Sequence, residues 1–270
     1  MLDGSRQHKG IDYWETHAPV ASWPVIRWVL IASILNKWKS CQLDYVMAYT
    51  QAQPIKGGTY MAVPKGFEVE GAEPSQQYVL QVNKNLYGGC DAGRAWYQHL
   101  VDRLLKAGFI QSDYDGCLFY YKACIYVLYT GDSIVIGPKD GDLKDCIGAI
   151  QAQGLKITKQ GSVADFLGVE ITYSPDGSIN LAQPYLVDSI LAYLRIDKEN
   201  TLDKLTPAPS SRILGQHADS EDFDGHFHYR SVIGKLNYLE KSTRPDIAYA
   251  VHQCARFCQH PKKEHGKAVT

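Results

Sequence analysis

IYVLYTGDSIVI, residues 125 to 136, holds two runs of β-branched, aliphatic and aromatic residues separated by Thr130-Gly131-Asp132. Each run has the composition and length of a strand, and the polar break between them is short enough for a tight turn. The stretch therefore predicts a β-hairpin with Gly131 and Asp132 at or beside its tip. A second apolar run, Cys41 to Met47, reads as a mostly buried strand around one carboxylate, Asp44. A charge in such a strand is costly unless something uses it.

Around these two runs the pattern alternates between helix and strand. Val25, Trp28, Val29, Ile31, Ala32 and Leu35 recur at helical spacing behind Pro24 and predict a helix from Trp23 to Asn36. Trp96, Leu100, Leu104 and Leu105 predict a second helix over Ala92 to Ala107, stopped by Gly108. Strands are expected at Tyr60 to Val63, Tyr78 to Val82, Cys117 to Tyr121 and Asp165 to Tyr173, the last forming a hairpin with Ser178 to Leu181. A polar loop is expected over Glu68 to Gln77 and a helix over Leu143 to Gln151. From Pro184 onward the pattern turns helical, at Tyr185 to Leu194, Tyr229 to Lys241 and Ile247 to Cys258, with a linker over Thr206 to Asp224.

Composition narrows the function classes. The 270 residues are 45% hydrophobic and 21% charged with a formal net charge of -1, the profile of a globular chain without the overall positive charge of many nucleic-acid binders. Any polyanion must therefore meet a local basic surface. The seven cysteines form no Cys-Xaa-Xaa-Cys pair, and Met1 to Arg6 lacks the apolar core of a signal peptide, which points to an intracellular protein, cytoplasmic or nuclear. The longest apolar stretch, Val25 to Leu35, is broken by Arg27 and falls short of the roughly 20 residues of a membrane span. No phosphate-binding glycine loop, His-Glu-Xaa-Xaa-His or Gly-Xaa-Ser-Xaa-Gly occurs.

Asp44 and Asp132 are the acids least suited to a purely structural role, although on spacing alone a strand-edge and a turn aspartate are the simpler reading. Paired carboxylates are what two-metal phosphoryl transfer requires, because two cations about 4 Å apart must be held together. The surrounding strings decide between these readings. IDYWETHAPV (11–20), QLDYVMAYTQA (42–52), TYMAVPKGF (59–67), NLYGGCDAGRAWYQHL (85–100), LYTGDSIVIGP (128–138), DFLGVEI (165–171) and YRSVIGKLNYLEKSTRPDIAYAVHQCARF (229–257) occur in that order. Together they resemble the reverse transcriptase domain of copia-type long-terminal-repeat retrotransposons over nearly the whole chain.

The resemblance implies an α+β, right-handed polymerase fold: partial fingers and an antiparallel palm over residues 1–183, then a helical thumb or connection region over 184–270. It implies Mg²⁺ as cofactor, with Asp44 and Asp132 as its catalytic ligands. The implied partners are a primed RNA or DNA template, deoxynucleoside triphosphates and the other domains of a polyprotein. Tyr49 falls where the family has the aromatic side chain that lies under the incoming sugar, and Arg94 and Trp96 match its Arg and Trp near template and nucleotide. On this reading Asp44 and Asp132 must lie side by side.

The sequence departs from the family at two site positions and at both ends. Gly131 stands where the family has the first hairpin aspartate and supplies no carboxylate. Asp91 replaces a glutamine that contacts the nucleotide, setting like charge against a triphosphate. The chain also begins after the family's basic fingers strand and breaks off before a ribonuclease H domain. Loss of a major electrostatic stabiliser costs about 10³-fold in rate, so impaired polymerisation, or a non-catalytic remnant that at most binds nucleic acid, is expected.

Two C-terminal features compete for attention. His252, Cys254, Cys258 and His260 form a run that resembles zinc ligands, but His252 sits off the helix face shared by Cys254 and Cys258. Arg230, Lys235, Lys241, Arg244, Arg256, Lys262, Lys263 and Lys267 make this the most basic part of the chain. That pattern reads as a surface tracking nucleic-acid phosphates, or as a solvated helical face.

Overall fold

The structure is a computed structural model that describes residues 1–54, 59–67, 71, 78–196, 206–208, 213–215 and 220–270. The polar loop expected over 68–77 lies outside the described residues apart from Gly71, and the linker expected over 206–224 lies partly outside them. Backbone contacts divide the chain into two units, Met1–Val163 and Ala164–Thr270.

The first unit is built on a six-stranded antiparallel sheet: β1 (Lys39–Tyr45), β4 (Ile110–Gln111), β5 (Leu118–Tyr121), β6 (Cys124–Tyr129), β7 (Asp132–Gly137) and β8 (Ile157–Gly161), in the order β4-β5-β6-β7-β1-β8. The expected hairpin is β6-β7, joined by Thr130-Gly131 with Tyr129 opposite Asp132. β1 inserts next to β7, so the two carboxylate-bearing segments become neighbours despite their separation in sequence. Two short strands, β2 (Tyr60–Ala62) and β3 (Val79–Gln81), form a separate antiparallel ribbon.

Helices cover this sheet because their apolar stripes require it. In α3 (Ala92–Lys106), Trp96, Leu100 and Leu104 are buried at successive turns. The helix ends as predicted at Gly108, whose φ of +91 only glycine adopts readily. Gly108 donates to the Leu105 carbonyl and Phe109 to that of Leu104, closing a Schellman turn. α4 (Asp140–Ala152) begins earlier than the apolar pattern indicated because Asp142 caps the Lys139 backbone. Its Cys146 reaches the Cys124 thiol of β6 and lies near Cys41 of β1, and burial pushes the Cys146 thiol far above its usual range. α1 (Trp23–Leu35) is apolar on both faces: Ile26, Val29 and Leu30 are buried, whereas Trp28, Ile31 and Leu35 are exposed.

The second unit holds an antiparallel sheet of β9 (Asp165–Phe166), β10 (Val169–Tyr173) and β11 (Ile179–Ala182), and helices α5 (Pro184–Leu194), α6 (Tyr229–Ser242), α7 (Ala248–Ala255) and α8 (Lys263–Val269). The single strand expected over 165–173 is in fact two. Leu167 and Gly168 both take positive φ, 58 and 69, and fold β9 back on β10. The helix expected to reach Cys258 stops at Ala255, and α8 was not anticipated. Phe227, Tyr229, Val232, Ile233 and Cys254 form the core of the helical part.

Candidate active site

The strand β1 ends at Tyr45, not at Met47 as expected. Val46 and Met47 turn the chain, Met47 with φ of 49, into a four-residue helix, α2 (Ala48–Gln51). Gln51 fastens this turn. Its amide donates to the carbonyls of Val46 at 2.8 Å and Lys156 at 3.0 Å, and its carbonyl accepts from the Lys156 N–H at 2.9 Å. Nothing in the spacing marks Gln51, because its partner lies beside β8, a polar strand without apolar periodicity.

Asp44 and Asp132 are directly opposite in the antiparallel β1-β7 register. Tyr45 N–H donates to the Gly131 carbonyl at 2.9 Å, one residue beyond the pair on each strand. That pattern makes Asp44-Asp132 a non-hydrogen-bonded pair, the close kind, with Cα atoms about 4.5 Å apart and side chains on one face. Both acids are partly buried. On the opposite face, the buried hydroxyls of Tyr45 and Tyr126 share a 2.8 Å hydrogen bond, and burial holds both phenols well above their usual range. The residues alternating with the acids thus anchor the sheet beneath them.

The hairpin tip has an inverted arrangement. Thr130, the first turn residue, has φ of 52, while Gly131 lies outside the left-handed region. A positive φ at the first turn position is a conformation that favours glycine over threonine. The strained Thr130 is held by Trp96, whose Nε1 donates to the Thr130 carbonyl at 2.6 Å. A side chain at Gly131 would meet only the Ala48 Cβ, at an ordinary 3.7 Å. The missing carboxylate is therefore not excluded by space or backbone.

Tyr49 of α2 stacks on Tyr87 with ring centroids 4.5 Å apart and planes 17° from parallel. Burial pushes its phenol upward, with Tyr87 adding to the effect. A cavity of about 40 Å³, room for one or two waters, lies between Tyr49, Gly93, Trp96 and Thr130, with Pro19 also lining it. Tyr49 and the hairpin tip thus border one space.

Asp91 occupies the N-cap position of α3 without a side-chain capping bond, and burial raises its carboxyl above the usual range. Arg94, one turn on, pairs with Glu15 at 2.6 Å and donates to the His17 carbonyl at 3.2 Å. The guanidinium expected near a nucleotide is already engaged by a carboxylate. In the second unit, Lys262, Lys263, Lys267 and Arg244 pair with Asp222, Glu221, Glu264 and Asp246. At least four of the eight cations that read as a phosphate-tracking surface are thus matched by acids, two of those acids from the segment preceding α6. His252 bonds Glu240 at 3.1 Å, and among the described residues no group of three or more His, Cys, Asp or Glu side chains is gathered as a metal site. The zinc reading has no geometric support.

A protein-family model described as reverse transcriptase (RNA-dependent DNA polymerase) matches residues 1–208. The chain belongs to this reverse transcriptase family. Retrovirus-related Pol polyproteins from the transposons RE1 and RE2 of Arabidopsis thaliana are 31% and 33% identical to it across the whole chain, which spans 18% of each. The Pol polyprotein of transposon TNT 1-94 from Nicotiana tabacum is 27% identical over the whole chain, which covers 21% of it. No solved structure matches. The chain is thus a reverse transcriptase domain of the copia-type retrotransposon polyprotein kind, in a mixed helix and sheet fold with antiparallel sheets. No helix among the described residues is long and apolar enough to cross a membrane.

Proposed function

We propose that the chain is the palm-bearing polymerase part of a retrotransposon polyprotein, with fingers and palm segments over residues 1–183 and a helical thumb or connection region over 184–270. Its chemistry is attack of a primer 3′-hydroxyl on a deoxynucleoside triphosphate, directed by an RNA or DNA template. The observation that carries this reading is the Asp44-Asp132 register, which sets two partly buried carboxylates on one face of an antiparallel sheet. A pair of hard oxygen donors at that spacing fits Mg²⁺. When bound, Mg²⁺ activates the attacking oxygen and neutralises charge on the leaving pyrophosphate.

The chain's own residues divide the remaining work. Asp44 and Asp132 would hold the cations, and Tyr49 would lie beneath the incoming sugar. Trp96 keeps the hairpin tip in place through Thr130. Gly131 contributes no ligand, Asp91 opposes the triphosphate, and Glu15 competes for Arg94. Polymerisation by this chain is accordingly impaired, about 10³-fold below a site with all three acids. These same three features favour the second reading, a remnant that binds nucleic acid without chemistry.

Primer extension by the chain and by Gly131→Asp, with and without Mg²⁺, tests the proposal. Extension that appears or rises steeply only in Gly131→Asp with Mg²⁺ supports it. Robust extension by the unmodified chain overturns the impairment. No extension by either, with template still bound at low salt, leaves the remnant as the function.

A further inference from the structure

The segment bearing Tyr49 is short of internal support. α2 has four residues, too few to be stable alone, and it is entered through a left-handed Met47. Its backbone is held by Gln51 and by the Thr50 hydroxyl on the Met47 carbonyl. Its tyrosine ring is held by something else. One face lies flat against Tyr87, and the hydroxyl end abuts Gly93, where an added Cβ would sit 3.4 Å from the Tyr49 Oη.

Tyr87 is itself fixed from outside. Leu2 N–H donates to the Tyr87 carbonyl at 2.8 Å. The next residue, Gly88, has φ of 94, and a Cβ there would run into the Leu2 carbonyl oxygen. Gln7 accepts from the Cys90 N–H, so residues 2 to 7 bind the 87–90 loop along its length. The N-terminal segment thus sets the loop, the loop sets Tyr87, and Tyr87 sets the plane of Tyr49.

We propose that Tyr87 is a positioning residue for sugar selection: its ring fixes Tyr49 at the height that admits a deoxyribose and rejects a 2′-hydroxyl. The inference rests on the reading of Tyr49 as the side chain beneath the incoming sugar. Discrimination of one hydroxyl requires a wall placed to within about 0.5 Å. A ring without its stacking partner regains rotational freedom. Aromatic pairs of this geometry correspond to a factor of about 2 to 12, which is the loss of discrimination expected.

The test measures binding, so it needs no turnover. The chain and its Gly131→Asp variant are loaded on a primer-template with a dideoxy-terminated primer in Mg²⁺. The Kd values of the templated deoxynucleoside triphosphate and its ribonucleotide counterpart are then compared. Tyr87→Leu is expected to lower the discrimination ratio about 2- to 12-fold, mostly by tightening the ribonucleotide. Tyr87→Phe keeps the stack and the ratio, and Tyr49→Ala abolishes the ratio. If Tyr87→Leu fails to fold, Tyr87→His, planar but a poorer stacking partner, carries the same expectation.

Full discrimination in a folded Tyr87→Leu or Tyr87→His alongside its loss in Tyr49→Ala overturns the role of Tyr87 and leaves the polymerase reading intact. Unchanged discrimination in Tyr49→Ala overturns the sugar-facing reading and this inference with it. Absence of nucleotide binding by both loaded proteins overturns the nucleotide site as a whole.

Discussion

Gly131→Asp perturbs the site with little disturbance of the fold, so its energetics can be worked through. Space is available, since the nearest atom to an added Cβ is Ala48 Cβ at 3.7 Å, and the backbone there is not left-handed. Removing a glycine also restricts the unfolded chain, which stabilises by about 0.4–1 kcal/mol. Against this, a third carboxylate joins a close pair. At roughly 5.5 Å, each repulsion is about 0.7 kcal/mol under bulk-water screening and about 3 kcal/mol at an effective dielectric near 20. For partly buried acids a net loss of about 1–2 kcal/mol is expected without divalent cations, or about 2–8 °C in Tm at 2–4 °C per kcal/mol. Mg²⁺ at 100 times its Kd returns about 2.7 kcal/mol. The assay is thermal unfolding of both proteins with EDTA and across a Mg²⁺ series, run beside primer extension. A variant as stable as its parent in EDTA, with no greater gain from Mg²⁺, would refute a shared ion between these strands. So would an equal gain in a control lacking both acids, Asp44→Asn with Asp132→Asn.

Three further outcomes follow from the same geometry. Asp91 has its carboxyl raised chiefly by burial, so its contribution to stability is present below the unfolded carboxylate pKa and is lost as pH rises through the raised folded value. Asp91→Asn should therefore gain stability over the parent near neutral pH and lose that advantage toward pH 3, as read by urea unfolding; a constant offset at all pH values would contradict the burial argument. Trp96→Phe removes the donor to the Thr130 carbonyl and should destabilise by about 1–3 kcal/mol, with loss of any Mg²⁺-dependent stabilisation. At least four of the eight C-terminal cations are paired with acids, so nucleic-acid affinity measured against salt should fall with a log-log slope shallower than about -7. A slope at the steep end would mean that those ion pairs open on binding.

Local chemistry explains what could be read before the structure. The β6-β7 hairpin, α1, α3 and α5 declare themselves because each is marked locally, by apolar runs around a polar turn, by a proline at the helix start, or by a stop signal such as Gly108. The opposition of Asp44 and Asp132 became legible only through the ordered strings, since β1 and β7 meet by a non-local pairing that no spacing encodes. β8 escaped for a related reason: as an outer strand it buries little, and ITKQG has no alternation to detect. The break at Leu167-Gly168 was hidden by a leucine in left-handed backbone, a conformation that composition does not favour. The ion pairs of the basic C-terminal stretch could not be read from sequence, because Glu221 and Asp222 lie far from Lys262 and Lys263 in sequence and beside them in space.

The hydrogen bond between Trp96 and the hairpin has an optical consequence. Trp96 is 1% exposed, in contrast to Trp14 at 51% and Trp28 at 48%. Acrylamide quenching will therefore silence the latter two far more readily than Trp96. The residual emission comes largely from the protected indoles, among them one whose N–H is bound to the carbonyl between Tyr129 and Gly131 and whose ring meets Tyr45 edge-on at 5.1 Å. A cation or nucleotide that shifts the hairpin tip alters that bond and with it the emission maximum. Occupancy of the site can thus be followed by light, without reference to any product.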